Sequence, residues 1–151
     1  MKTMSVTTTI EAPARRVFEV FADLRNAAGR VKGITALEVL TEGPIGKGTR
    51  FRETRKMFGR EATETMEILE FEPDRGYLVG GESCGMRWRS TFDFVPEAGG
   101  ERTRVTMTFA ATPLTLMAKL MSPLSGMMTK ACRKMLERDL ADLKGAAEAG
   151  S

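Results

Sequence analysis

From Gly48 to Ala111 the chain alternates apolar side chains with polar or charged ones, and it then closes on a long amphipathic stretch. Alternation with a period of two marks half-buried strands, whereas apolar residues three and four apart mark one face of a helix. Met4–Ile10 sets Met4, Val6, Thr8 and Ile10 on one face and Ser5, Thr7 and Thr9 on the other, a strand rich in β-branched residues. Glu11-Ala12-Pro13 breaks it. Pro13 suits the first turn of a helix, and Ala14–Leu24 carries Val17, Phe18, Phe21 and Leu24 at helical spacing. Asn26–Gly29 reads as a short second helical turn or a loop, and Ala36–Leu40 as a strand.

A turn cluster, Glu42–Gly48, holds three glycines and one proline. The following strand, Thr49–Met57, puts Phe51, Glu53, Arg55 and Met57 on one face and Arg50, Arg52, Thr54 and Lys56 on the other. Strands are predicted at Glu61–Phe71, Tyr77–Cys84, Met86–Val95 and Arg102–Ala111, with turns near Phe58-Gly59, at Glu72–Gly76 and at Pro96–Glu101. Met86, Trp88, Phe92 and Phe94 share a face, as do Val105, Met107 and Phe109. The same parity sets Asp93 and Arg104 outward on neighbouring strands, within pairing reach. The last segment is predicted helical from about Pro113 to Ala149, divided at Ser122-Pro123 into Pro113–Met121 and Pro123–Ala147. Its apolar stripe is Met117, Met121, Leu124, Met128 and Met135, and Met127 adds to its methionine content. Lys119, Lys130, Arg133, Lys134, Glu137 and Lys144 form the polar face. The order is strand, helix, short helix, six or so antiparallel strands, long helix, an α+β pattern. A curved sheet around one helix leaves space between them, and unbranched thioethers make an adaptable lining for it.

Composition narrows the chemistry. A chain of 151 residues, 42% hydrophobic and 28% charged, is expected to fold as one globular domain, 1–151. No apolar run approaches the ~20 residues of a membrane span. The first residues lack the apolar stretch of a secretory signal, so a cytoplasmic location is expected. There is no histidine, which removes Ser-His-Asp and Cys-His nucleophile systems and His-ligated zinc or iron. Cys84 and Cys132 lack metal-motif spacing and are expected to be reduced thiols. The net charge of +3 is mild, and the basic residues are interleaved with glutamates, so nucleic acid is not an expected partner. Gly43, Gly46 and Gly48 do not complete a phosphate-binding loop, since Gly48 precedes Thr49 without the Lys-Ser/Thr that it needs. Neither metal, nucleotide nor other cofactor is implied.

Ile10-Glu11-Ala12-Pro13-Ala14-Arg15-Arg16-Val17-Phe18 with Ala22-Asp23-Leu24, then Gly46-Lys47-Gly48-Thr49-Arg50, Glu70-Phe71-Glu72-Pro73 and the C-terminal amphipathic helix together resemble the START-like superfamily. This superfamily is also described as SRPBCC, or polyketide cyclase/dehydrase and lipid-transport proteins. The resemblance spans nearly the whole chain. It implies a helix-grip fold, a curved seven-stranded antiparallel sheet around the last helix with a cavity between, and roles from carriage of hydrophobic ligands to polyketide cyclisation. Two features depart from it. The tryptophan often found after the first helix is absent from Arg25–Val31, and no histidine is available for members thought to use one.

Glu53 and Arg55 form the most informative polar pair, because alternation places both beside Phe51 and Met57. Buried charges cost several kcal/mol per ion unless paired or met by a ligand. They are either a polar anchor for the carboxylate, ketone or hydroxyl of an apolar ligand, or a partly wet cross-strand ion pair. Tyr77, the one tyrosine, is a proton donor or a core phenol with a satisfied hydroxyl. Glu64 or Glu67 also faces inward, a bulge deciding which. Trp88 falls among Phe92, Met107 and Phe109, as core or as cavity wall. Arg50, Arg52, Lys56, Arg87, Arg89, Arg102 and Arg104 lie outward, either as a basic docking face or as a solvated, salt-bridged one. The expected ligand-binding set is Phe51, Glu53, Arg55, Tyr77, Trp88, Phe92, Met107, Phe109, Met117, Met121, Leu124 and Met128, with no residue assigned a catalytic role. The expected function is binding of a small lipid-like or polyketide-like molecule. The alternatives are a metal-free cyclase, aromatase or dehydratase using Glu53, Arg55 or Tyr77, and a protein-interaction module with a vestigial cavity. The oligomeric state is open.

Overall fold

The computed structural model describes residues 2–57, 59–83, 85–117 and 125–149. Strand β1 (Lys2–Ile10) leads to helix α1 (Ala14–Ala22), a 3-10 turn (Leu24–Asn26) and the short helix α2 (Ala27–Arg30). Strands β2 (Ile34–Val39), β3 (Arg50–Met57), β4 (Arg60–Glu72), β5 (Gly76–Ser83), β6 (Met86–Glu97) and β7 (Arg102–Pro113) follow, and helix α3 (Ser125–Ala149) closes the chain. All strand pairs are antiparallel. The seven strands run in the order β1-β7-β6-β5-β4-β3-β2, so β2 to β7 form a meander that β1 extends at the β7 edge. With α1 and α3 against one face, this is the helix-grip α+β fold.

Period-two alternation becomes the concave face through the register. Phe51 lies opposite Met66 and Glu53 opposite Glu64; Tyr77 opposite Phe92 and Trp88 opposite Gly81; Phe92 opposite Met107 and Ser90 opposite Phe109. A bulge between Ile68 and Glu70 shifts the parity of β4. Ile68 and Phe71 therefore both face the interior, opposite Val79 and Tyr77. That bulge decides between the two candidate glutamates: Glu64 shares the face of Glu53, and Glu67 pairs outward with Arg50 at 4.0 Å.

Helix α1 packs one end of the concave face. Val17, Phe18, Val20 and Phe21 are buried there. The Phe18 ring meets Phe71, Phe94 and Tyr77 edge-on at 5.2, 5.4 and 5.9 Å between centroids, the arrangement favoured by aromatic quadrupoles. Tyr77 stacks on Phe92 at 4.5 Å. Helix α3 contributes Leu136, Leu140, Leu143 and Ala147, a stripe with helical spacing, all buried. Each such large side chain contributes about 1.5–3 kcal/mol through burial.

Three sequence expectations change. Strand pairing continues to Pro113, opposite Met86, and Leu114 N donates to Gly85 O at 2.7 Å, so no helix starts at Pro113. A proline at the last position of a strand withholds no needed ladder hydrogen bond. Strand β6 likewise runs to Glu97, which shortens the expected Pro96–Glu101 loop to a 3-10 turn at Ala98–Gly100. Arg104 stands opposite Val95 and reaches Glu97 at 3.6 Å, while Asp93 stands opposite Thr106. Register thus sets Asp93 and Arg104 diagonally rather than as partners. The expected break at Ser122-Pro123 lies outside the described residues. Among the described residues, no helix is long and apolar enough to cross a membrane.

Candidate functional site

Beyond the Tyr77–Phe92 stack the concave wall stays apolar but is less covered. Met66, Trp88 and Phe109 from the sheet, with Cys132 and Met135 from α3, are half-buried against the core. Trp88 stacks on Phe109 with centroids 6.1 Å apart. Its ring lies over Gly81, where a Cβ would come within 2.9 Å of an indole carbon. The glycine leaves the space that the tryptophan ring occupies.

A charged cluster stands within this interior. Arg55 Nε donates to Glu53 Oε1. Arg55 Nη1 and Nη2 donate to Asp139 Oδ1 and Oδ2 at 3.1 and 2.7 Å, a two-pronged contact that joins β3 to α3. Glu53 and Asp139 are 8% and 7% exposed, which makes them a buried pair of acids around one guanidinium. A Cβ on Gly33 would lie 3.1 Å from Arg55 Nη1, so the guanidinium packs close to the backbone before β2. Burial raises the Glu53 carboxyl above its ordinary value, against the pull of Arg55; Asp139 and Glu64 add to the rise. Burial also raises Asp139, again against the contacts from Arg55. For Arg55, burial acts to lower the value but is outweighed by Asp139 and Glu53, so the guanidinium stays charged.

The Tyr77 hydroxyl donates to Phe21 O at 3.3 Å. Burial, with the nearby Glu53 charge, holds the phenol well above the tyrosine range. It therefore serves as a core phenol and a weak acid. Burial likewise raises the Cys132 thiol, with Asp139 acting the same way and Arg55 opposing, which disfavours a nucleophilic thiolate. Cys84 lies outside the described residues. Among the described residues, no group of three or more acidic, thiol or imidazole side chains is placed to hold a metal ion.

The expected ligand set is thus partly assembled. Glu53, Arg55, Trp88, Phe92 and Phe109 share the concave face. Phe51, Met107 and Tyr77 are there too but sit in the packed core. Met117, a few residues past the end of β7, is 73% exposed and stands outside the apolar interior. Met121 and Leu124 lie outside the described residues, as does the side chain of Met128. Asp139, Met66 and Cys132 are additions. Asp139 had a legible signal, an acid in phase with the apolar stripe Leu136, Leu140 and Leu143.

Two open grooves are present, and neither touches the charged cluster. One of about 500 Å³ runs between β1 and α3, past Thr7, Arg133, Leu140 and Lys144, where Arg133 donates to Ser5 O at 3.0 Å. The other, about 380 Å³, lies over Gly80-Gly81, where Met66 and Trp88 of the apolar wall meet Arg50, Arg87 and Arg89. The outward arginines are largely engaged: Arg50 with Glu67, Arg87 with Glu82, Arg102 with Glu11 and Arg104 with Glu97. This is the solvated, salt-bridged face, in which each pair contributes little.

The polyketide cyclase/dehydrase and lipid transport family matches residues 1–148. The chain belongs to this family. No curated protein matches the sequence significantly. Among solved structures, TTHA0849 from Thermus thermophilus is similar at 24% identity, covering 99% of each chain with a TM-score of 0.80. The Zhui aromatase/cyclase from Streptomyces sp. R1128 is 20% identical over 97% of this chain and 93% of its own, TM-score 0.80. A START superfamily protein from Mycobacterium smegmatis is 16% identical over 99% of both chains, TM-score 0.80. At these identities the likeness is one of fold, and within the family the function of this member rests on its own site.

Proposed function

We propose that the protein binds a small hydrophobic molecule between the concave face of the sheet and α3. Trp88, Phe109 and Met66 form the apolar wall in this reading, and the Glu53–Arg55–Asp139 cluster forms the polar end. The observation that carries it is the unequal cover of the concave face. Phe18 and Phe21 fill one end, while Met66, Trp88 and Phe109 stay half-buried at the other. Ligand sites commonly join apolar walls to a few fixed polar groups in this way. Membership of a family described by polyketide cyclisation and lipid transport supports the same reading.

Native mass spectrometry of freshly purified protein tests it, together with titration by apolar probes followed through the emission of Trp88, the one tryptophan. A co-purified mass or a saturable emission change at about micromolar probe supports binding. Absence of both rejects it. A second reading, a metal-free cyclase or dehydratase, draws support from Glu53, a buried carboxyl raised toward a proton-holding role. Turnover of a model polyketide, lost in Glu53→Gln, would favour it over simple carriage. Tyr77 is a poor candidate for the acid, its hydroxyl being committed to Phe21 O.

A further inference from the structure

Resting on the binding site proposed above, we infer that its polar end selects neutral ligands bearing a hydroxyl and rejects carboxylates. The inference starts from how the guanidinium is used. Arg55 is the group that an acidic ligand would seek, yet its Nε and both terminal nitrogens already donate to Glu53 and Asp139. Two carboxylates share one guanidinium, and a third, Glu64, stands across the strand from Glu53. The cluster is net anionic when ionised. A carboxylate entering it would meet like charge in a poorly hydrated setting, and like charges there raise the free energy of both.

One acceptor remains open. Among the described residues no donor is placed against Glu53 Oε2, and the atom is not fully buried, since Arg16 Nε is the one buried polar side-chain atom left without a partner among them. A ligand hydroxyl can donate to that oxygen in place of solvent. The hydroxyl also suits either protonation state. It donates to Oε2 when Glu53 is ionised and accepts from the acid when Glu53 is protonated. A ketone serves the second state alone. An ammonium would pair with the acids but would lose its own hydration on entry.

Three probes with one apolar body separate these cases: naphthol, naphthoate and naphthylmethylamine, all substituted at the same ring position. Their affinities for the intact protein are measured by Trp88 emission and by calorimetry near neutral pH. Naphthol is expected to bind on the order of tenfold more tightly than naphthoate, a ratio set by like-charge repulsion. Glu53→Gln and Asp139→Asn each remove a carboxylate group together with its hold on Arg55, so the naphthol-to-naphthoate ratio should fall several-fold in each. Circular dichroism establishes that the variant tested is folded, and either variant suffices. Naphthoate binding as tightly as naphthol, amine binding tightest, or a ratio unchanged in a folded variant each overturns the inference while leaving the cavity in place. Failure of all three probes to bind rejects the cavity itself, and the inference with it.

Discussion

Asp139 is an acid at a position of α3 whose neighbours on the same face, Leu136, Leu140 and Leu143, are all buried. Arg55 accounts for its presence, since a guanidinium on the interior face of β3 needs a carboxylate from the opposing layer. Removing one partner from such a cluster leaves an uncompensated buried charge. Arg55→Met should therefore destabilise the protein by about 3–5 kcal/mol at neutral pH, read by urea unfolding, with part recovered on acidification as Glu53 and Asp139 take up protons. Glu53 gives a pH signature of its own. Its folded-state carboxyl lies above the ordinary 4.5, with Arg55, Asp139, Glu64 and the Tyr77 phenol around it. Its contribution is full below 4.5 and is lost as pH rises through the raised value. Glu53→Gln should match the parent near pH 4.5 and become relatively more stable as pH rises. A stability difference that shrinks with rising pH would contradict that environment.

Among the elements, the strands were legible because alternation is a local property. Phe51, Glu53 and Arg55, and likewise Trp88, Phe92 and Phe109, share one face as the alternation of the sequence places them. What alternation does not carry is register and bulging. The parity shift between Ile68 and Glu70, the continuation of β7 to Pro113 and the diagonal placement of Asp93 and Arg104 depend on partner strands distant in sequence. Asp139 was legible in principle, but its role needed the sheet. Four substitutions test the packing of these elements. Gly81→Ala places a Cβ 2.9 Å from the Trp88 ring, so it should cost about 1–3 kcal/mol and shift Trp88 emission. Gly29→Ala, which meets no atom within 4 Å, should be tolerated. On α3, Leu140→Ala should cost about 2–5 kcal/mol, whereas Lys130→Asp on the exposed side should change stability little. Equal melting of the last two variants would mean that the phase of α3 is wrong.

At the scale of the molecule, the proposed function divides the concave face between two tasks. The α1 end, built from interlocking aromatic rings, holds the sheet to the helices. The Trp88 end carries apolar surface that the described residues leave half-covered, beside a charged cluster tied across the layers. A family described by both cyclisation and lipid transport is compatible with such a division, in which the wall and the polar end would set the ligand while the packed end preserves the fold. The most direct test is to map backbone and indole chemical shifts of the intact protein during titration with naphthol. The account expects saturable changes at Trp88, Phe109, Met66, Glu53 and Cys132, with little change at Arg50, Arg87 and Arg102 on the convex side. Changes confined to the convex face or to the groove between β1 and α3, or no saturable change at all, would contradict binding between the sheet and α3.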